Sequence, residues 1–131
     1  MLPPEAMPDE TPGCVLLVED EPIVRFPIAE ALRDLGVQVV EASTADEAWD
    51  HLESGSMVDV VFTNHNLMGT LTGTQLAMMI AQKYLAVVTI VTSGEDGLHN
   101  EPIRFLKKPY YLLRTAAMLT ELAGTRLRKT D

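Results

Sequence analysis

The chain has 131 residues, 47% of them hydrophobic, and a net charge of −9. That length supplies one domain with a real core. The acidic balance argues against nucleic acid or an anionic membrane as the direct partner, and no apolar stretch reaches the roughly 18 residues that a membrane span needs. In chain order, residues Met1 to Gly13 are rich in proline and acid and lack the basic-then-apolar order of a secretory signal, so they read as a loose tail. The single cysteine, Cys14, can form no internal disulfide, which fits a reducing, cytoplasmic setting. It is expected as a small buried residue of the first strand.

That strand is expected over Cys14 to Val18. A helix follows from Glu21-Pro22 to Leu35, with Pro tolerated in its first turn. Pro27 inside it should strain or kink the helix. Gly36 ends the helix, and Val37 to Val40 form the second strand. Ser43 and Thr44 are N-cap candidates for a second helix in which Ala45, Ala48, Trp49 and Leu52 repeat at helical spacing. On that spacing Trp49 is a core anchor. Val58 to Thr63 read as a third strand buried on both faces. A loop from Asn66 to Gly73 then leads to a third helix over Thr74 to Tyr84. Val87 to Thr92 and Ile103 to Lys107 are the last two strands, and a final helix runs from Tyr110 to Ala123. Only nine residues, Gly94 to Pro102, separate the last two strands. With two glycines and a proline they favour a loop or a single turn over a full helix.

Strands alternating with helices point to a parallel sheet covered on both faces, whose strand carboxyl ends share one crevice. Glu19-Asp20, Thr63-Asn64, Thr92-Ser93 and Lys107-Lys108-Pro109 all stand at such ends. Carboxylates, a hydroxyl and a lysine meeting there suit a hard divalent cation and a phosphoryl group. This ordered set closely resembles the receiver domain of bacterial response regulators, over about Cys14 to Ala123. The resemblance implies an α/β, three-layer, doubly wound (βα)5 flavodoxin-like fold with a five-stranded parallel sheet and a reduced or absent fourth helix. It places a receiver domain at residues 14–124 between two tails, 1–13 and 125–131, with no room for a DNA-binding output domain.

By the same resemblance Asp20 is a direct Mg²⁺ ligand, Glu19 acts directly or through water, and the Asn66 carbonyl completes the protein's share. Thr92 and Lys108 contact the phosphoryl group, Phe105 is the switch aromatic, and the Lys108-Pro109 bond is cis. The phosphoacceptor position holds Asn64 where the family has aspartate. An amide is a poor nucleophile, so the usual acyl phosphate is not expected, and the loss of one negative charge should weaken Mg²⁺ binding. Met68 stands where proline is usual, Thr72 where an acid is usual, and the loop before Gly73 is one residue longer than common. His65, beside Asn64, should point away from the phosphoryl position by strand alternation. His51 and His99 have no metal-spaced partners and read as surface residues.

Three readings follow. A degenerate receiver would signal by protein contact alone. A normal phosphoacceptor would have had its aspartate replaced by Asn64. A flavin- or nucleotide-binding protein of flavodoxin type would use the same crevice, although the anionic Glu19-Asp20 pair disfavours it. No enzyme motif is found. The implied partners are proteins: a histidine kinase or phosphotransfer protein near the first helix, and a downstream target or a second copy on the final helix through Leu112, Leu113, Ala116, Leu119 and Leu122. Most of that stripe also serves as core.

Overall fold

A computed structural model describes residues 10–94 and 103–127. Its main sheet is built from β2 (Cys14–Val18), β3 (Gln38–Ala42), β4 (Val60–Asn64), β5 (Val88–Ser93) and β6 (Arg104–Lys107), all parallel, in the order β3-β2-β4-β5-β6. Successive side chains of a strand point to opposite faces, so a strand apolar at every position demands cover on both. Val15 and Leu17 of β2, with Val60 and Phe62 of β4, pack against Ile28, Ala29 and Leu32 of α1 (Pro22–Asp34) and Ala116 and Leu119 of α4 (Leu112–Ala123). Leu16, Val18 and Val61 pack on the other face against Ala48 and Leu52 of α2 (Ala45–Glu53) and Leu76 and Ile80 of α3 (Gly73–Lys83). The result is the expected flavodoxin-like three-layer fold, with four flanking helices among the described residues, one fewer than a full (βα)5 pattern. Apart from Gly94, the stretch read as a loop or single turn lies outside the described residues, as does His99.

Local chemistry explains where elements begin. Pro22 sits in the first turn of α1, and the helix continues through Pro27 without a break in its assignment. Thr44 caps α2 by accepting from the Glu47 N–H, and Thr72 forms a reciprocal capping box with Gln75 at the start of α3. The second strand starts one residue later than expected because the Val37 N–H still closes the end of α1 on the Leu32 carbonyl. The last helix begins at Leu112 rather than Tyr110, since Tyr110 packs edge-on against Phe62 with ring centroids 5.7 Å apart. Trp49 anchors the edge of the α2–α3 core only in part: it is half-buried and meets Tyr84 edge-on at 5.6 Å.

Part of each expected tail is strand instead. β1 (Glu10–Pro12) pairs antiparallel with β7 (Thr125–Leu127), and the Gly13 N–H extends this ribbon to the Gly124 carbonyl at 2.9 Å. A Cβ on Gly13 would stand 2.5 Å from the Ala123 carbonyl oxygen, so the approach requires glycine. The ribbon joins segments more than a hundred residues apart, and three-residue strands leave no periodic trace in a sequence. No helix among the described residues is long and apolar enough to cross a membrane.

Candidate functional site

The sheet order reverses direction between β2 and β4, and a parallel sheet opens its crevice at that switch, beyond the strand carboxyl ends. A hollow of about 450 Å³ lies there, lined by Asp20, Glu21, Asn64, Asn66, Met68 and Lys108 among others. A second hollow, about 270 Å³, sits on the flank between α3 and β6 and has no carboxylate in its lining. The chemistry therefore belongs to the strand-end crevice.

Glu19 and Asp20 follow directly on β2, and a cation fixes their turn from below. Arg25 of α1 donates through Nη1 to the Glu19 carbonyl at 2.6 Å and through Nε to Glu41 at 2.9 Å, with only 11% of its side chain exposed. The pair of bonds ties the acidic turn to β3. Sequence reasoning missed this clamp, although an arginine one turn into a helix after an acidic strand end is a visible signal. Glu19 is buried, and burial pushes its carboxyl above the usual carboxylate range. A hydrogen bond with Asp20 adds to that rise, while the Glu21 N–H and Lys108 pull the other way.

Asn64 ends β4, and both the oxygen and the nitrogen of its amide are hydrogen-bonded. Its Oδ1 accepts from Lys108 Nζ at 3.0 Å, and its Nδ2 donates to the Asn66 carbonyl at 2.7 Å. Lys108 also stands 3.9 Å from Glu19 Oε1. Asp20 Oδ2 accepts from the Met68 N–H at 3.0 Å, so the unusual residue at that position contributes its backbone to the crevice while its side chain stays 70% exposed. The Lys108-Pro109 bond is cis. Gly73 closes the loop by donating to the His65 carbonyl at 2.8 Å. A Cβ there would fall 1.9 Å from the Asn64 carbonyl oxygen.

The remaining expected residues are close by but covered. Thr92 pairs with Asn64 across β4 and β5, is 3% exposed, and lines a gap of only 10 Å³ beneath the crevice with Glu19 and Tyr110. Phe105 is half-buried and packs toward α3 against Ala77, Val91 and Ile103. His65 is bound to Thr74 Oγ1 at 2.7 Å, away from the crevice. His51 is half-buried near the end of α2. Thr72, expected only as a departure from an acidic residue, is the N-cap of α3; its Thr-x-x-Gln spacing was a legible signal.

The oxygens of Glu19, Asp20 and Glu21 lie within 4.8 Å of one another, and such a cluster can coordinate a divalent cation. The other two expected ligands are each engaged in hydrogen bonds as they are held, Asn64 Oδ1 accepting from Lys108. Asn64 turns a donor toward Asn66, and the Asn66 carbonyl is already accepting it.

Comparison with known proteins agrees with this geometry. Residues 15–110 match the family model described as the response regulator receiver domain. Among solved structures, the receiver domain of the hybrid histidine kinase CckA is 28% identical, with a TM-score of 0.71 over 86% of this chain and 100% of its own. A response regulator receiver protein from Sinorhizobium medicae WSM419 is 24% identical, with a TM-score of 0.73 over 86% of this chain and 91% of its own. The Saccharomyces cerevisiae receiver domain of Ssk1, crystallised with the phosphotransfer protein Ypd1, shares the fold at 19% identity and a TM-score of 0.71, over 86% of this chain and 89% of the matched chain. With the acidic turn, the cis Lys108-Pro109 bond and the doubly wound sheet in place, the chain belongs to the response regulator receiver domain family.

Proposed function

We propose that this receiver, a two-component signalling module rather than an enzyme, transmits its signal through protein contacts without forming the family's acyl phosphate. One observation carries the reading: the position of the nucleophile holds Asn64, whose only oxygen accepts a hydrogen bond from Lys108. An amide has neither the charge nor the nucleophilicity to attack phosphorus. Mg²⁺ is the cation whose hard-oxygen preference matches Glu19 and Asp20, and it is held weakly here because position 64 contributes no charge. Thr92, Phe105 and Lys108 retain the family's residue types at the positions that sense a phosphoryl group.

A histidine kinase or phosphotransfer protein fits the apolar rim beside the crevice. Ile23 and Phe26 of α1 are 82% and 52% exposed, Tyr111 and Leu113 at the start of α4 are 74% and 75% exposed, and the two helices pack side by side. Both helices start at the crevice end of the sheet, where such a partner must present its histidine. The rest of the α4 stripe is core: Ala116 and Leu119 are fully buried, so a target or second copy on that helix is left with Leu112 and Leu113. A second reading, a phosphoacceptor whose aspartate has been replaced, is favoured by the otherwise complete set Glu19, Asp20, Thr92 and Lys108.

Intact-mass analysis after incubation with acetyl phosphate and Mg²⁺ tests the proposal on this chain and on Asn64→Asp. No phosphoryl gain on the unsubstituted chain is expected, and a gain there would sink the reading. Gain on Asn64→Asp alone would favour the replaced acceptor. Gain on neither would favour a module that works independently of phosphorylation.

A further inference from the structure

We propose that Arg25 is a positioning residue of the acidic turn: by holding the peptide that joins Glu19 to Asp20, it sets how well the two carboxylates share a divalent cation. The inference rests on the receiver reading above and deepens its cation site. Arg25 lies one turn into α1 with only 11% of its side chain exposed, and a guanidinium so covered needs partners for its fixed fork of donors. Nε donates to Glu41 Oε1 at 2.9 Å, and Nη1 donates to the Glu19 carbonyl at 2.6 Å. The guanidinium carbon also stands 5.2 Å from the ring centroid of the half-exposed Phe26.

The carbonyl that Arg25 holds lies at a decisive place. The Glu19 N–H still bonds to the Ala42 carbonyl at 3.0 Å, but the β2–β3 register ends at Val18 and Ala42, so the Glu19 carbonyl lies past the last ladder position. Its oxygen shares one rigid plane with the Asp20 N–H. Fixing that plane fixes ψ of Glu19 and φ of Asp20, the two torsions that decide whether the carboxylates face a common point. The head of α1 does not do this, since its N-cap, Glu21, makes no side-chain cap bond. Each carboxylate has a bond of its own, Glu19 from the Glu21 N–H at 3.1 Å and Asp20 from the Met68 N–H at 3.0 Å. Those donors belong to the turn itself and to the loop after β4, whereas Arg25 ties the backbone of the turn to Glu41 on β3.

Charge and geometry pull in opposite directions here. A cationic side chain near a cation site lowers affinity by repulsion, so its removal should strengthen binding if charge is all that matters. If Arg25 instead holds the turn in its binding shape, its removal weakens binding in spite of that relief. The pairing with Glu41 favours the second outcome, because it offsets the charge of the guanidinium while keeping its grip on the turn.

Mg²⁺ titration of the full 131-residue chain, followed by the NMR shift of the Asp20 amide, separates the two across the unsubstituted protein, Arg25→Met and Arg33→Met. Methionine keeps the apolar stem and removes the donors. Arg25→Met is expected to weaken Mg²⁺ binding roughly tenfold, the scale of one charge-assisted hydrogen bond. Affinity equal to or above that of the unsubstituted protein would overturn the proposal. Arg33 bonds the same Glu41 at 3.1 Å from a side chain 48% exposed, and it makes no bond to the turn. Arg33→Met should therefore stay within about twofold, as for other exposed pairs; a loss as large as that of Arg25→Met would also overturn the assignment. A further readout needs neither variant nor cation: in Mg²⁺-free buffer the Arg25 Nε–H should exchange slowly with water, and exchange at the rate of a free guanidinium would overturn the clamp. No Mg²⁺ binding by the unsubstituted protein would overturn this proposal and leave signalling by contact in place. Phosphoryl gain by that protein would instead sink the functional reading, with the affinity comparison still judging Arg25.

Discussion

Two lysines of this molecule meet oxygen partners in contrasting surroundings. Lys83 at the end of α3 makes a two-pronged ion pair with Glu53 of α2, at 2.9 and 2.7 Å, while Tyr84 donates to the same carboxylate. Its ammonium also stands 5.7 Å from the ring centroids of Trp49 and Tyr84. Among the described residues the Lys108 ammonium has one hydrogen bond, to a neutral amide, and a more distant carboxylate. By contact quality the first cluster is the stronger. It is nonetheless exposed to water, which screens the charges, and an exposed pair contributes little to stability. The second stands partly buried at the switch point of the sheet, where three segments converge. Position in the fold, rather than the number of contacts, sets the two lysines apart.

Three substitutions break or sharpen that contrast. The largest effect is expected from Gly73→Ala, whose methyl would meet the Asn64 carbonyl oxygen at 1.9 Å and Thr63 Oγ1 at 2.8 Å. Backbone must shift, so urea unfolding should show a loss of about 1–3 kcal/mol, the range of core overpacking. NMR shifts should spread through Asn64, Asn66 and Lys108, and shifts confined to α3 would contradict the close packing of loop on strand. A smaller effect is expected at the surface cluster: Lys83→Ala should cost under about 1 kcal/mol in the same assay and leave Mg²⁺ affinity unchanged.

The smallest effect concerns protonation. Burial raises the Glu19 carboxyl in the folded state, so its contribution to stability is present at low pH and lost as pH rises through the raised folded value. In chelated buffer Glu19→Gln should therefore raise Tm at neutral pH, and the difference should shrink as acid protonates the native carboxyl. A difference independent of pH would show that the carboxyl is not the origin.

Much of the fold could be read from the chain because its signals are local. Apolar runs such as Cys14 to Val18 can be buried only in a two-faced parallel strand, and Pro22, Thr44 and Gly73 punctuate the elements on either side. The family's residue types at positions 19, 20, 92 and 108 were legible for the same reason, since they follow directly on those runs, and Asn64 stood out as the departure among them. Features that join distant segments were legible at most at one end. The β1–β7 ribbon pairs three residues with three across nearly the whole chain, and no local pattern announces it. The Arg25 clamp depends on β3 lying beside β2, which brings Glu41 within reach.

What the sequence by itself determined is the set of chemical types at the strand ends, including the amide at position 64. What only the tertiary structure decided is how those groups spend their hydrogen bonds. Asn64 carries one acceptor and two donors in any fold, but it is the convergence of β4 and β6 that sets Lys108 against the oxygen, and the turn after β4 that sets the Asn66 carbonyl against the nitrogen. Hydrogen bonds act over about 3 Å, and distances of that order between residues forty-four positions apart exist only once the sheet has formed.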